Sequence, residues 1–99
     1  MSKDRKARRA KDRETVKDAR QRLRLALLEP GGSAERPLGV ATSHLVEPVA
    51  ASMPCPVCGG SVRVLEHVVQ DRLRVAHVQC SMCNVARSIY FRIEALQLN

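Results

Sequence analysis

Cys55-Pro-Val-Cys58-Gly59 and Cys80-Ser-Met-Cys83-Asn84 are the two stretches that decide how this chain is read, and they hold every cysteine in its 99 residues. Two Cys-x-x-Cys pairs separated by a strand-rich interval are the pattern of one tetrahedral zinc ion held by four thiolates. Each pair sets two sulfurs about one metal while its backbone N–H groups turn toward sulfur. The residue after the second cysteine of such a turn favours a left-handed backbone. Glycine adopts that conformation freely and asparagine tolerates it, so Gly59 and Asn84 suit both turns.

Working outward, the interval between the pairs is rich in valine. Ser61–Val69 and Leu73–Gln79 read as two strands of a hairpin about Gln70-Asp71-Arg72. That connection carries no glycine, so a tight two-residue turn is not strongly encoded. Arg87–Ile93 reads as a third strand, with Ile89, Phe91 and Ile93 on one face and Ser88, Tyr90 and Arg92 on the other. Tyr90 and Phe91 are the only aromatic residues in the chain. A core this poor in large side chains needs a staple, and a metal supplies one.

Upstream, residues 30–54 carry four prolines and a Gly31-Gly32 pair, which is linker composition. A β-prone run, Gly39–Glu47, offers an edge strand that Pro48 would end. Further upstream, residues 3–29 read as a helix of good helix formers, stopped by Pro30-Gly31-Gly32. Val16, Ala19, Leu23, Ala26 and Leu27 recur at three- and four-residue steps and mark one face. Residues 3–13 offer only Ala7 and Ala10 to a partner, so that half is expected to fray or to order on binding.

Charge follows the same division. The net charge is +7, and residues 1–29 alone hold eleven Lys/Arg against five Asp/Glu, a net +6. A concentrated basic segment points to polyanions. The candidate nucleic-acid contacts are Lys3, Arg5, Lys6, Arg8, Arg9, Lys11 and Arg13 on the arm, with Arg72, Arg74 and Arg92 on the β region. Arm contacts would go mainly to phosphate and carry little sequence preference. A merely solvated helix has the same composition, and one exposed Tyr90 is a poor platform for base stacking.

The alternatives at the cysteines are iron in a rubredoxin-like sulfur site, disulfides, and a redox Cys-x-x-Cys. Catalytic zinc needs an open coordination position, which four thiolates do not leave. Four thiolates about Zn²⁺ leave a formal −2, which Arg63 and Arg87 are placed to offset. His44, His67 and His77 are not needed as ligands. No nucleophile–base pair and no Gly-rich phosphate loop is present, so the chain reads as not an enzyme. It has no secretory signal and no membrane-length apolar run, which suggests a cytoplasmic, reducing setting.

Over residues 53–93 the sequence resembles the zinc-ribbon superfamily, through Cys55-Pro-Val-Cys58-Gly59, the hairpin and Cys80-Ser-Met-Cys83. The resemblance implies two knuckles and a three-stranded antiparallel sheet clamping one structural Zn²⁺. It also implies a transcription, ribosomal, polymerase, chaperone or import context. Transcript-cleavage ribbons carry an adjacent Asp-Glu pair at the hairpin tip, where this chain has Val69-Gln70-Asp71-Arg72. The mitochondrial Hsp70-escort type carries a His and Asp motif after its second knuckle, where this chain has Asn84-Val-Ala-Arg-Ser88. Neither chemistry carries over.

The expectation is therefore a small β protein in three parts: a basic helical arm over 1–29, a linker over 30–52 and a zinc-ribbon domain over 53–99. Its partner is expected to be nucleic acid or a nucleic-acid-bound protein complex such as a ribosome or polymerase. The alternative is an adaptor or self-associating module docking through Val16, Leu23 and Leu27.

Overall fold

The computed structural model describes the backbone of residues 2–94 and the side chains of residues 15–94. A long helix, α1 (Ser2–Leu28), precedes a short strand β1 (Leu38–Val40), a 3-10 turn at Ser43–Leu45 and a helix α2 (Val46–Ser52). Three longer strands follow: β2 (Val62–Gln70), β3 (Leu73–Cys80) and β4 (Ala86–Ile93). They form one four-stranded mixed sheet in the order β1-β4-β3-β2.

The β2–β3–β4 meander is antiparallel, as the valine-rich alternation predicts. Its first connection is tight after all: Gln70 pairs with Leu73, leaving Asp71-Arg72 as a two-residue loop. Asp71 sits at φ 55, standing in for the missing glycine because its short side chain tolerates the left-handed region. A bulge between Val64 and Glu66 makes Leu65 the extra residue of β2, and it points to solvent.

The expectation of three strands is corrected by β1, which lies parallel to β4 through Leu38–Phe91 and Val40–Ile93. The β-prone run does add an edge strand, but only over 38–40. Beyond it the chain turns helical, with Pro48 third in α2. A proline in the first helical turn forfeits no intrahelical bond, since that N–H has no partner in a helix. Pro54 then lies just past the helix end.

Residues 38–52 are therefore structured rather than linker. Val46 and Ala50, four apart on α2, are both 0% exposed. They pack with Val40, Ala76, Val78, Ile89 and Phe91 into the core on one face of the sheet. The composition misleads because alanine and valine are as much core residues of a thin domain as filler of a flexible one.

Among the described residues, helix α1 meets this body at its last turns. From residue 15 onward it buries Ala26 alone. The Arg36 guanidinium donates to the Leu28 carbonyl at 2.7 Å, capping the helix with charge of the favourable sign. The Tyr90 N–H donates to the Gly31 carbonyl at 2.8 Å, so the turn after α1 seals the part of the β4 edge that β1 leaves open. Among the described residues no helix is long and apolar enough to cross a membrane.

Candidate metal centre

Two tight turns build the site. In the first, the Gly59 N–H donates to the Cys55 carbonyl at 2.8 Å, and the Cys55 N–H to the Gly60 carbonyl at 2.9 Å. In the second, the Asn84 N–H donates to the Cys80 carbonyl at 3.1 Å, and the Cys80 N–H to the Val85 carbonyl at 2.9 Å. Gly59 at φ 74 and Asn84 at φ 62 take the left-handed conformation that both turns call for. Ser81 ties the turns together, donating through its N–H at 3.0 Å and its hydroxyl at 2.9 Å to the Ser61 carbonyl. Gly60 lies where they meet: a Cβ there would come within 2.7 Å of Met82 Cγ.

These turns bring Cys55, Cys58, Cys80 and Cys83 together, with all four Sγ atoms within 4.8 Å of one another. Cys55 and Cys83 are 3.6 Å apart and Cys58 and Cys80 are 3.4 Å apart, both sulfur to sulfur. Four sulfurs about 2.3 Å from a central ion at tetrahedral corners would be separated by about 3.8 Å. The cluster therefore fits one ion with shifts of about 1 Å or less in its sulfur separations. Among the described residues no other cluster of three or more His, Cys, Asp or Glu lies close enough to hold a metal.

The surroundings favour thiolate at Cys80 and oppose it at Cys83 and Cys58. The N–H groups of Met82 and Cys83 donate to Cys80 Sγ at 3.3 and 3.4 Å, and that of Gly60 to Cys58 Sγ at 3.3 Å. The Cys83 N–H, with that of Met82, outweighs desolvation and draws the Cys80 thiol from 9.0 down to about 6. Cys83 goes the other way, up to about 12. There the Val85 N–H lowers it, but desolvation and the thiols of Cys55, Cys58 and Cys80 prevail. Cys58 is also raised: the Gly60 N–H lowers it, while the Cys80 thiol and desolvation push up. Thiols this close cannot all ionise together unless a cation offsets their charge.

One arginine lies within electrostatic reach. Half-buried Arg87 is lowered first by desolvation, against the opposing pull of Cys55 and Glu29. Arg63 instead donates to the Gln79 side chain at 3.3 Å and is exposed. A residue not singled out from sequence also reaches the site: Arg22 of α1 donates to the Val57 carbonyl, inside the first turn, at 2.7 Å. Nothing in the helical pattern marks Arg22 apart from its neighbours, because the contact is set by tertiary geometry.

The other candidates lie elsewhere. His77 Nδ1 and the Ser88 hydroxyl are 2.8 Å apart, and His67 Nε2 is enclosed without a hydrogen-bond partner. Arg72 lies in the β2–β3 loop, at the end of the sheet away from the cysteines. The pairings Arg74–Phe91 and Leu73–Arg92 set Arg74 and Arg92 on opposite faces, and Arg92 is bridged to Glu94 at 2.7 Å. These three arginines share an end of the sheet but no single face. The side chains of Lys3, Arg5, Lys6, Arg8, Arg9, Lys11 and Arg13 lie outside the described residues.

Comparison with protein families, curated proteins and solved structures finds no match. What stands on the structure is a cluster of four cysteines within metal-binding distance, at one end of a four-stranded mixed sheet, with an N-terminal helix beside it.

Proposed function

We propose that this chain is a structural zinc protein that associates with nucleic acid through its basic helix. The observation that carries the first half is the convergence of four Sγ atoms within 4.8 Å of one another. All-thiolate donors in a closed tetrahedron favour zinc and leave no site for substrate or water, so the ion's role is to hold the fold. Zinc binding is then folding energy for the sheet. The second half rests on the net +6 over residues 1–29, carried on a helix whose described part is almost wholly exposed.

Native mass spectrometry should find one zinc per chain, and a chain that folds with iron or no metal would refute the metal assignment. A gel-shift titration with RNA and DNA should show binding that weakens steeply with salt, at roughly 0.9 log units per phosphate contact for duplex DNA. Replacing Arg5, Arg8 and Arg9 by glutamate should abolish it. No binding at low salt would remove the nucleic-acid half and leave the metal half standing.

A second reading, an adaptor that docks a protein, is favoured by the exposure of Val16 and Leu27 on α1.

A further inference from the structure

The apolar positions of α1 do not end in solvent. Val16, Leu23 and Leu27 lie within about 40° of one another around the helix, at 100° per residue. Leu23 and Leu27 then form one wall of a groove of about 510 Å³ whose other walls are Ala34, in the turn after the helix, and Ala86 and Tyr90 of β4. The stripe runs about 17 Å from Val16 to Leu27 and continues into this groove. Val16 is 51% and Leu27 56% exposed, with Leu23 half-buried between them, so the apolar surface is open at both ends.

Its border is cationic. Arg20, Arg24 and Lys17 fall about 40–100° round the helix from the stripe, on the side away from β4, and all three are exposed. Glu35 and Arg87 also line the groove and cancel in formal charge. The surface is thus an apolar seam with a groove at its foot and a row of positive charge along its outer lip. A second copy of α1 packed antiparallel would bring the same cations to the same lip, and like charges at an interface oppose association. Nucleic acid would satisfy the lip but leave the apolar seam wet. An amphipathic helix with an acidic flank satisfies both, in the helix-in-groove mode of recognition.

We propose that the seam from Val16 to Leu27, with the groove between α1 and β4, is the docking site for an acidic amphipathic helix of another protein. The docked helix lies along α1 with its apolar residues on Leu23 and Leu27, its terminal anchor against Tyr90, and its carboxylates facing Arg20 and Arg24. The proposal deepens the adaptor reading by fixing the chemistry of the partner.

Tyr90 lines the groove and is the only tyrosine in a chain without tryptophan, so its emission reports on occupancy. The test uses the zinc-loaded full chain and a peptide of roughly 16 residues, without Tyr or Trp, carrying Leu at helical spacing and Glu beside it. A scrambled peptide of equal charge and a single-stranded RNA oligonucleotide are the comparison probes. The acidic amphipathic peptide should change Tyr90 emission saturably. Leu27→Asp, and separately Arg20→Glu with Arg24→Glu, should weaken it at least about tenfold. All three positions are exposed, and circular dichroism checks that the variants fold. Absence of a saturable change overturns the proposal, as does equal binding of the scrambled peptide. An RNA-induced change without a peptide response overturns it in favour of nucleic acid. A dimer in light scattering that Leu27→Asp dissolves would replace the acidic partner by a second copy, and would leave the adaptor reading intact.

Discussion

The sheet and the helix in front of it are held in place by different physics. Residues 38–93 bury a set of valines, Ile89 and Phe91 under α2 and close one end with four cysteines. Helix α1 from residue 15 buries Ala26 alone and otherwise depends on its own backbone and on contacts at its last turns. Isolated helices are marginal in water even when well composed. One region is thus a packed unit closed by the four-cysteine cluster, and the other is a lever whose foot rests on that unit. Perturbing the sheet should remove both, whereas perturbing the helix should remove only the helix.

The largest effect should come from the metal. Chelation, or Cys80→Ser, should abolish the β signal in circular dichroism and with it the protection of α1, because on the proposed reading metal binding and folding are one equilibrium. Native β structure persisting without metal would mean that the valine core suffices alone. Next in size is Phe91→Ala. Phe91 is 0% exposed at the centre of the core, and such a truncation costs about 3–5 kcal/mol. That is a large part of the roughly 5–15 kcal/mol that holds a typical domain. Denaturant unfolding of the zinc form should register it, and a loss below about 1 kcal/mol would show a core that collapses readily.

Legibility from sequence divides along the same line. The cysteine turns were readable because the metal and the backbone impose short-range requirements, and Gly59 and Asn84 meet them at φ 74 and 62. The β2–β3–β4 meander was readable because neighbouring strands pair and valine alternates along them. Strand β1 was readable only as an edge strand over Gly39–Glu47 and helix α2 not at all, because prolines and small residues mark loops on average. Here they serve long-range packing: Val46 and Ala50 matter through Phe91 and Val78, which lie far along the chain. The foot of α1 was hidden for the same reason, since Arg22 and Val57 are 35 residues apart.

Acidity separates the regions more gently. Within the folded cluster, Cys80 is drawn down from 9.0 to about 6, so its contribution is complete above 9.0 and is lost as pH falls through about 6. Cys83, pushed up to about 12, has the opposite sign: its neutral form is favoured, a contribution present below 9.0 and lost as pH rises through about 12. At neutral pH zinc must displace the proton from Cys83 and from the raised Cys58. Zinc affinity measured by chelator competition should therefore fall on acidification. An affinity that does not change as pH falls would mean that zinc displaces no thiol protons on binding.

The smallest effect tests the join. Arg22 donates from an exposed guanidinium to the Val57 carbonyl at 2.7 Å, and Arg22→Ala removes that bond without opening a cavity. The net value of such a bond is about 0.5–1.5 kcal/mol, and solvent at the exposed arginine holds it near the lower end. The sheet keeps its cysteines and core in the variant, so its unfolding midpoint should stay nearly where it was. The amides of the last turns of α1 should exchange faster in hydrogen exchange, because their protection depends on the helix staying seated beside the first cysteine turn. Equal acceleration across β3 and β4 would show that helix and sheet open together. In that case α1 would belong to the cooperative unit, and the division between lever and body would disappear.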